Sequence, residues 1–214
     1  LVTVTFSENV IVTGGTPQLT METGSNDAVL NYVSGTGTPT LVFRYIVVSG
    51  HTSADLSYGS TTALVLPNNG VKIRDNLDND GVLTLPVPGA TNSLQANKAL
   101  VIDTEAPTAG TVRDGSSGSD VNYSSGNTSL TANWTGFSDT LSGIASYEIA
   151  IGTSSGATDI LSWTSAGNVT TYTKTELSLT HAATYYVSTR ALDAAGNYSS
   201  AATTNGVIID AVAP

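Results

Sequence analysis

Apolar side chains return at every second residue in a series of short runs, and that period commits the chain to β-structure, because successive side chains of a strand point to opposite faces. In "LVTVTF" (1–6) Val2, Val4 and Phe6 alternate with Thr3 and Thr5, and in "LVFRYIVV" (41–48) Leu41, Phe43, Tyr45 and Val47 share one face. The pattern recurs in "LTANW", through Leu130, Ala132 and Trp134, and in "YYVSTRA", through Tyr185, Val187, Thr189 and Ala191. Gly-, Ser- and Asn-rich clusters such as "SGTGTP", "PNNG", "DGSSGSD" and "GTSSG" separate the runs and read as turns. No stretch sustains a helical period.

A phrase is also repeated. "VIDTEAP" at 101–107 returns as "IIDAVAP" at 208–214, at a spacing of 107 residues in a chain of 214. Two modules of about 100 residues follow, 1–107 and 108–214, each with enough short strands for a β-sandwich. The fold class expected is all-β: two tandem sandwiches joined by the short Pro-containing linker "DTEAPT". Pro107 fixes its own φ and biases Ala106 towards extended backbone, so the joint is stiff. Module 2 places about twenty residues before its first clear core strand, whereas module 1 begins directly on "LVTVTF". Module 1 therefore reads as lacking its first strand, removed with a preceding segment of a longer protein or supplied by another chain through strand addition.

Composition excludes several functions. The formal net charge is −10, with 4 basic against 9 acidic residues in 1–107 and 3 against 8 in 108–214. Nucleic-acid binding needs clustered Lys and Arg, so it is not expected. No apolar run reaches the ~20 residues of a membrane helix, and membrane insertion is not expected. The absence of Cys removes disulfides and thiolate metal sites. His51 and His181 sit in turn contexts, with neither a G-x-S-x-G nor an H-E-x-x-H pattern, so no enzyme activity is expected.

In module 2, "FSDTLSGIASYEIAIGTSSGATDILSW" and "TYYVSTRALDAAGNYSSAATTNGVIIDAVAP" resemble the fibronectin type III-like repeats of large bacterial surface and secreted proteins. The resemblance rests on Trp134, the "SGIASYEIAIG" run, the Leu179–Tyr185 spacing of a tyrosine corner, and "ALDAAGN". Module 1, through "VTVTFSENVIVTG", "SADLSYGSTTALVL" and "LTLPVPGATNSLQANKALVIDTEAP", resembles the immunoglobulin-like repeats of giant bacterial adhesins. It departs from them where they tend to read "IKDAAGN", since "IRDNLDNDG" stands there. The resemblance implies an extracellular, cell-surface location, a role in adhesion or spacing, and no catalytic residues. Expected partners are neighbouring repeats, a surface glycan or protein, or further copies assembling into a filament.

Calcium is the cofactor to look for. Asn76, Asp78, Asp80 and Gly81 in "DNLDNDG" match the opening of an N-x-D-x-D-G calcium loop, but its twelfth position is Val87 instead of Glu, so acids must come from elsewhere. The competing reading is an Asx-rich turn without metal. In a fibronectin-like sandwich the linker, the B–C loop and the F–G loop meet at one pole. For module 2 this gathers Asp103, Glu105, Asp139, Asp193 and Asn197; for module 1 it gathers Glu8 with Asp75, Asn76, Asp78 and Asp80. Carboxylates brought together without a cation repel one another, which is the case for Ca²⁺. Against it stands the reading of "DAAGN" as a tight hairpin and of the linker Asp as a turn acceptor. A different class of function, a carbohydrate-binding module of a secreted depolymerase, rests on Trp163 and Tyr172 as sugar-stacking rings, although no aromatic platform is visible beside Trp163.

Overall fold

The computed structural model describes residues 1–116, 118 and 120–212. It divides into two units, Leu1–Thr104 and Glu105–Pro214. Both are almost entirely β, as the alternation requires.

Unit 1 contains β1 (Val2–Thr13), β2 (Gln18–Glu22), β3 (Ala28–Ser34), β4 (Thr38–Arg44), β5 (Ser57–Tyr58), β6 (Leu64–Val65) and β7 (Lys72–Arg74), with one helical turn, α1 (Leu94–Asn97). The pairing runs β5-β2-β3-β4-β1-β7, with β6 also on β2. β1 is the hinge of this arrangement. Its residues 2–5 pair with β4, its residues 11–13 pair with β7, and an irregularity between Thr5 and Val10 turns the strand from one partner to the other. Among the described residues no strand pairs with the second edge of residues 2–5.

Alternation delivers the core. Val2 and Val10 of β1, Leu19 and Met21 of β2, Leu30 of β3, and Leu41 and Phe43 of β4 are buried together with Leu56, Leu64 and Ile73. The expected run from Leu41 to Val47 stops early. β4 ends at Arg44, and Ile46, Val47 and Val48 are exposed. A turn takes over there, closed by the His51 N–H on the Val48 carbonyl and by the Tyr45 hydroxyl against His51 Nδ1 at 3.1 Å. The phrase "VIDTEAP" closes the unit through Ile102, which exchanges two backbone hydrogen bonds with Ser53.

Unit 2 contains β8 (Thr111–Asp114), β9 (Tyr123–Ser124), β10 (Leu130–Thr135), β11 (Ile144–Gly152), β12 (Leu161–Gly167), β13 (Thr171–Lys174), β14 (Thr184–Asp193), β15 (Ala202–Thr203) and β16 (Val207–Ile209). One sheet is ordered β13-β10-β8. The other is β12-β11-β14-β16-β9, with β15 also on β14. The two inner faces bury Val112, Leu130, Ala132 and Trp134 against Tyr147, Ile149, Ile151, Tyr185, Val187, Ala191, Val207 and Ile209. Each Val, Leu or Ile among them contributes about 1.5–3 kcal/mol when fully withdrawn from water. The rings of Trp134 and Tyr147 meet at 5.4 Å in the middle of the core.

The tyrosine corner is present. Tyr185, 4% exposed, accepts the Thr180 N–H on its hydroxyl at 3.0 Å, which pins the turn before β14. "IIDAVAP" closes this unit through β16, whose Ile208 and Ile209 pair in parallel with Tyr123 and Ser124. Ala213 and Pro214 of that phrase lie outside the described residues.

Candidate metal centre

Two loops of unit 2 shape the candidate site. The first follows β10: Gly136, at φ +80°, turns the chain, and Asp139 then gathers the next amides onto one oxygen. Its Oδ1 accepts the N–H groups of Leu141, Ser142 and Gly143 at 3.1, 2.9 and 2.6 Å. In this turn the buried Oγ of Ser142 has no hydrogen-bond partner among the described residues. Just upstream, Pro107 is buried, and Thr108 exchanges two backbone hydrogen bonds with Ser138. The linker's last residues are thereby fixed beside Asp139.

The second loop is the "DAAGN" hairpin after β14. Asp193 is 2% exposed; its Oδ1 accepts the Ala195 and Asn197 amides at 2.9 and 2.8 Å, and its Oδ2 accepts the side-chain amide of Asn197 at 2.8 Å. Burial alone would raise the pKa of this carboxyl, but the bonds from Asn197, Gly196 and Ala195 outweigh it and hold the group below the ordinary carboxylate value. Gly196 sits at φ +98°, where a side chain would be strained. The two loops are stitched together by the Ala194 N–H on the Gly143 carbonyl at 3.0 Å. As a result, Asp139 and Asp193 bring a carboxylate oxygen each to within 4.8 Å of one another.

Two ionised carboxylates so close favour either a shared proton or a cation. The donor set is all oxygen, and loop amides fix both carboxylates in place, which suits a hard divalent ion such as Ca²⁺. Asn197 orients Asp193 through its amide nitrogen. Glu105 is exposed at the start of unit 2, and Asp103 is half-buried at the end of unit 1.

In unit 1 the expected calcium loop has a different construction. Asp75 Oδ1 accepts the Leu77 and Asn79 amides at 2.7 and 2.8 Å, and Oδ2 accepts the Asn79 side chain at 2.7 Å. This is the Asp193–Asn197 turn again, with Asp78 at φ +70° in the place of Gly196. The calcium-loop motif takes Asn76, Asp78 and Asp80 as its ligand series, whereas the residue that holds Asp75 is Asn79. Asp80 and Asp78 instead face Arg74, at 2.7 and 3.5 Å. The guanidinium bonds hold Asp80 below the usual carboxylate range, and those of Asn79 do the same for Asp75. Asn76 and Glu8 are exposed, Glu8 in the irregular middle of β1. Among the described residues, no three of Glu8, Asp75, Asp78 and Asp80 bring ligand oxygens within 4.8 Å of one another.

The aromatic candidates also separate. Tyr172 pairs opposite Ala132 and packs on the core. Trp163 has neighbours that the sequence did not reveal: the Arg190 guanidinium lies 4.4 Å from its ring centre and 4.1 Å from that of Tyr198. Arg190 also binds Glu148 Oε2 through Nε and Nη2, at 2.9 and 2.7 Å, and the Tyr198 hydroxyl donates to Glu148 Oε1 at 3.2 Å. Trp163 sits on β12, Glu148 on β11 and Arg190 on β14, so only the order β12-β11-β14 makes them neighbours. His181 accepts the Ala211 amide on Nδ1.

Neither a protein-family model nor a curated protein matches the chain. Among solved structures it is similar to an Fn3-like protein from Clostridium thermocellum, at 19% identity and a TM-score of 0.27 over 50% of this chain and 95% of that one. It is also similar to domains A168–A170 of titin, at 17% identity and a TM-score of 0.38, covering 95% of this chain and 60% of that one. Chicken CNTN1 FN1–FN3 aligns at 12% identity and a TM-score of 0.32, over 97% of this chain and 64% of that one.

Proposed function

We propose that the chain is a non-enzymatic structural repeat of an extracellular bacterial surface protein or filament, a spacer that carries an adhesive element and is stabilised by Ca²⁺. The observation that supports this reading is a loop built twice: an Asp whose carboxylate is clamped by an Asn four residues on, at 75–79 and at 193–197. Each unit also carries a second acid in a Phe-Ser phrase, Glu8 of "FSEN" in the irregularity of β1 and Asp139 of "FSDT" in the loop after β10. One design repeated in successive units is what an array of spacers requires, since each joint must offer the same polar end to its neighbour.

In this proposal Ca²⁺ binds Asp139 and Asp193, with Glu105 of the same unit as a further ligand. The ion supplies charge neutralisation; the loop amides hold the carboxylates ready for it. Both Trp residues belong to unit 2, so Trp fluorescence follows that unit alone. A thermal melt in millimolar Ca²⁺ should lie several degrees above one in EDTA, and Asp139→Asn should abolish the difference. Equal melts in Ca²⁺ and EDTA would remove calcium from the proposal.

A second reading, carbohydrate binding, is favoured by the clustering of Trp163 and Tyr198. Against it, the guanidinium of Arg190 occupies a face of each ring. A glycan array with wild type and Trp163→Ala separates the readings: specific binding lost with the ring supports the second.

A further inference from the structure

Asp114, the last residue of β8, is out of place by its chemistry. It is 1% exposed, faces inward with Val112, and among the described residues neither carboxylate oxygen completes a well-formed hydrogen bond. The Thr204 hydroxyl and the Gly206 amide, from the turn between β15 and β16, lie close enough to favour the charged form weakly. The charged group that bears on it is Asp120, whose Oδ1 accepts Asp114's own amide at 3.0 Å and whose negative charge opposes ionisation. The other described residues around it are not ionised. β10 sets Ala132 opposite Asp114, and its Asn133 donates Nδ2 to the Gly115 carbonyl; β14 presents Val187 and Thr189 inward; Thr204 accepts the Val187 amide on its hydroxyl oxygen, which leaves its O–H to face Asp114. β8 is an edge strand held by β10 alone within its sheet, and its end borders a cavity of about 190 Å³ with Tyr123, Ser129 and Thr131.

We propose that Asp114 makes the end of β8 a proton-operated latch: protonated, it keeps the strand docked against β10 and the β15–β16 turn; ionised, it drives that end open so that the carboxylate can hydrate. A buried carboxylate with weak donors and no cation beside it is costly, and an edge strand is the part of a sandwich that can yield at least expense to the rest. Burial raises the carboxyl from 3.8 to about 6 in the closed state. The sign follows from proton binding. The closed form holds its proton to higher pH than the open one, so closure is strongest below the ordinary value and weakens as pH rises towards 6. The opening constant should grow on the order of fiftyfold between pH 4 and pH 7 and then level off. The latch is independent of what the repeat carries or binds.

Hydrogen exchange on the whole chain tests it, through the Gly115 amide on Thr131 and the Val121 amide on Asp114, each compared with its intrinsic exchange rate at every pH. Protection at both should fall about fiftyfold from pH 4 to pH 7 in wild type and stay flat in Asp114→Asn. The wild-type carboxyl carbon of Asp114, followed by NMR, should titrate near pH 6. Protection independent of pH in wild type, the same fall in Asp114→Asn, or a carboxyl midpoint near the ordinary 3.8 would each overturn the latch.

Discussion

Asn197 donates its side-chain amide to Asp193 Oδ2 at 2.8 Å, and Asn79 repeats the bond to Asp75 Oδ2 at 2.7 Å. The pairs also share their flanks: Leu192 bridges Tyr198 as Arg74 bridges Asp80. The difference between them is burial, since Asp193 is 2% exposed while Asp75 is half-buried and Asn79 exposed. A hydrogen bond to a buried charge is worth about 1.5–3 kcal/mol, and one near solvent less. Asn197→Ala should therefore cost unit 2 about 1.5–3 kcal/mol, read by Trp fluorescence in urea. Asn79→Ala should cost unit 1 clearly less, read by hydrogen-exchange protection of unit 1 amides such as Gly81 on Ile73. Equal costs would show that burial does not set the strength of the clamp.

The same clamp gives unit 2 a characteristic response to pH. Asp193 is held below its ordinary value, so the stability it confers is present above about 3.8 and is lost as pH falls through its lower folded value. Asp114 acts oppositely: raised to about 6, it favours the fold below 3.8 and withdraws that support, about 3 kcal/mol in all, as pH climbs through 6. These two groups place the maximum of unit 2 near pH 3.8, the ordinary value that both carboxyls share in the unfolded chain. Urea midpoints measured from pH 2 to pH 8 should trace that maximum. Asp114→Asn should flatten the alkaline limb, while Asn197→Ala should shallow the acid one.

The local parts of this structure were open to a sequence reading, and the parts that need strand order were not. Period-two alternation placed Leu41, Phe43, Trp134 and Val187 inside because a strand with one buried face leaves no other choice. It overran at Val47, where the Tyr45–His51 contact turns the chain away, a bond between side chains that no period encodes. Both Asp-clamp turns lie in segments that sequence marks as polar loops, yet in "DNLDNDG" the alternate acids mask Asn79. The signal that would have found it was the shared Asp-to-Asn spacing of "DNLDN" and "DAAGN". Arg190 was illegible as a neighbour of Trp163, since they meet only across β11. Asp114 was illegible as buried because it stands where β8 gives way to a Gly/Ser turn that reads as exposed.

Tyr185 offers a test of the corner that precedes β14. Its hydroxyl accepts the Thr180 amide in a setting 4% exposed, so Tyr185→Phe keeps the ring and leaves one backbone donor without its acceptor. The expected loss is about 1–2 kcal/mol of unit 2 stability with the fold retained. A melt unchanged within error would mean that water or another acceptor replaces the hydroxyl.

Arg190 is the residue of unit 2 in which charge, stacking and position come together. Its guanidinium lies over Trp163 and Tyr198 and binds Glu148, whose side chain is 19% exposed. Arg190→Ala removes two ring contacts and leaves a mostly buried carboxylate without its cation, for an expected cost of about 2–4 kcal/mol. Arg190→Lys keeps the positive charge but not the flat guanidinium that fits between two rings while binding a carboxylate, so it should recover about half of that loss. If Lys restores the whole of it, the ion pair alone holds these strands. If Lys restores none, the planar stack is what ties β12 to β14 across β11, and Trp163→Ala should then cost as much as Arg190→Ala.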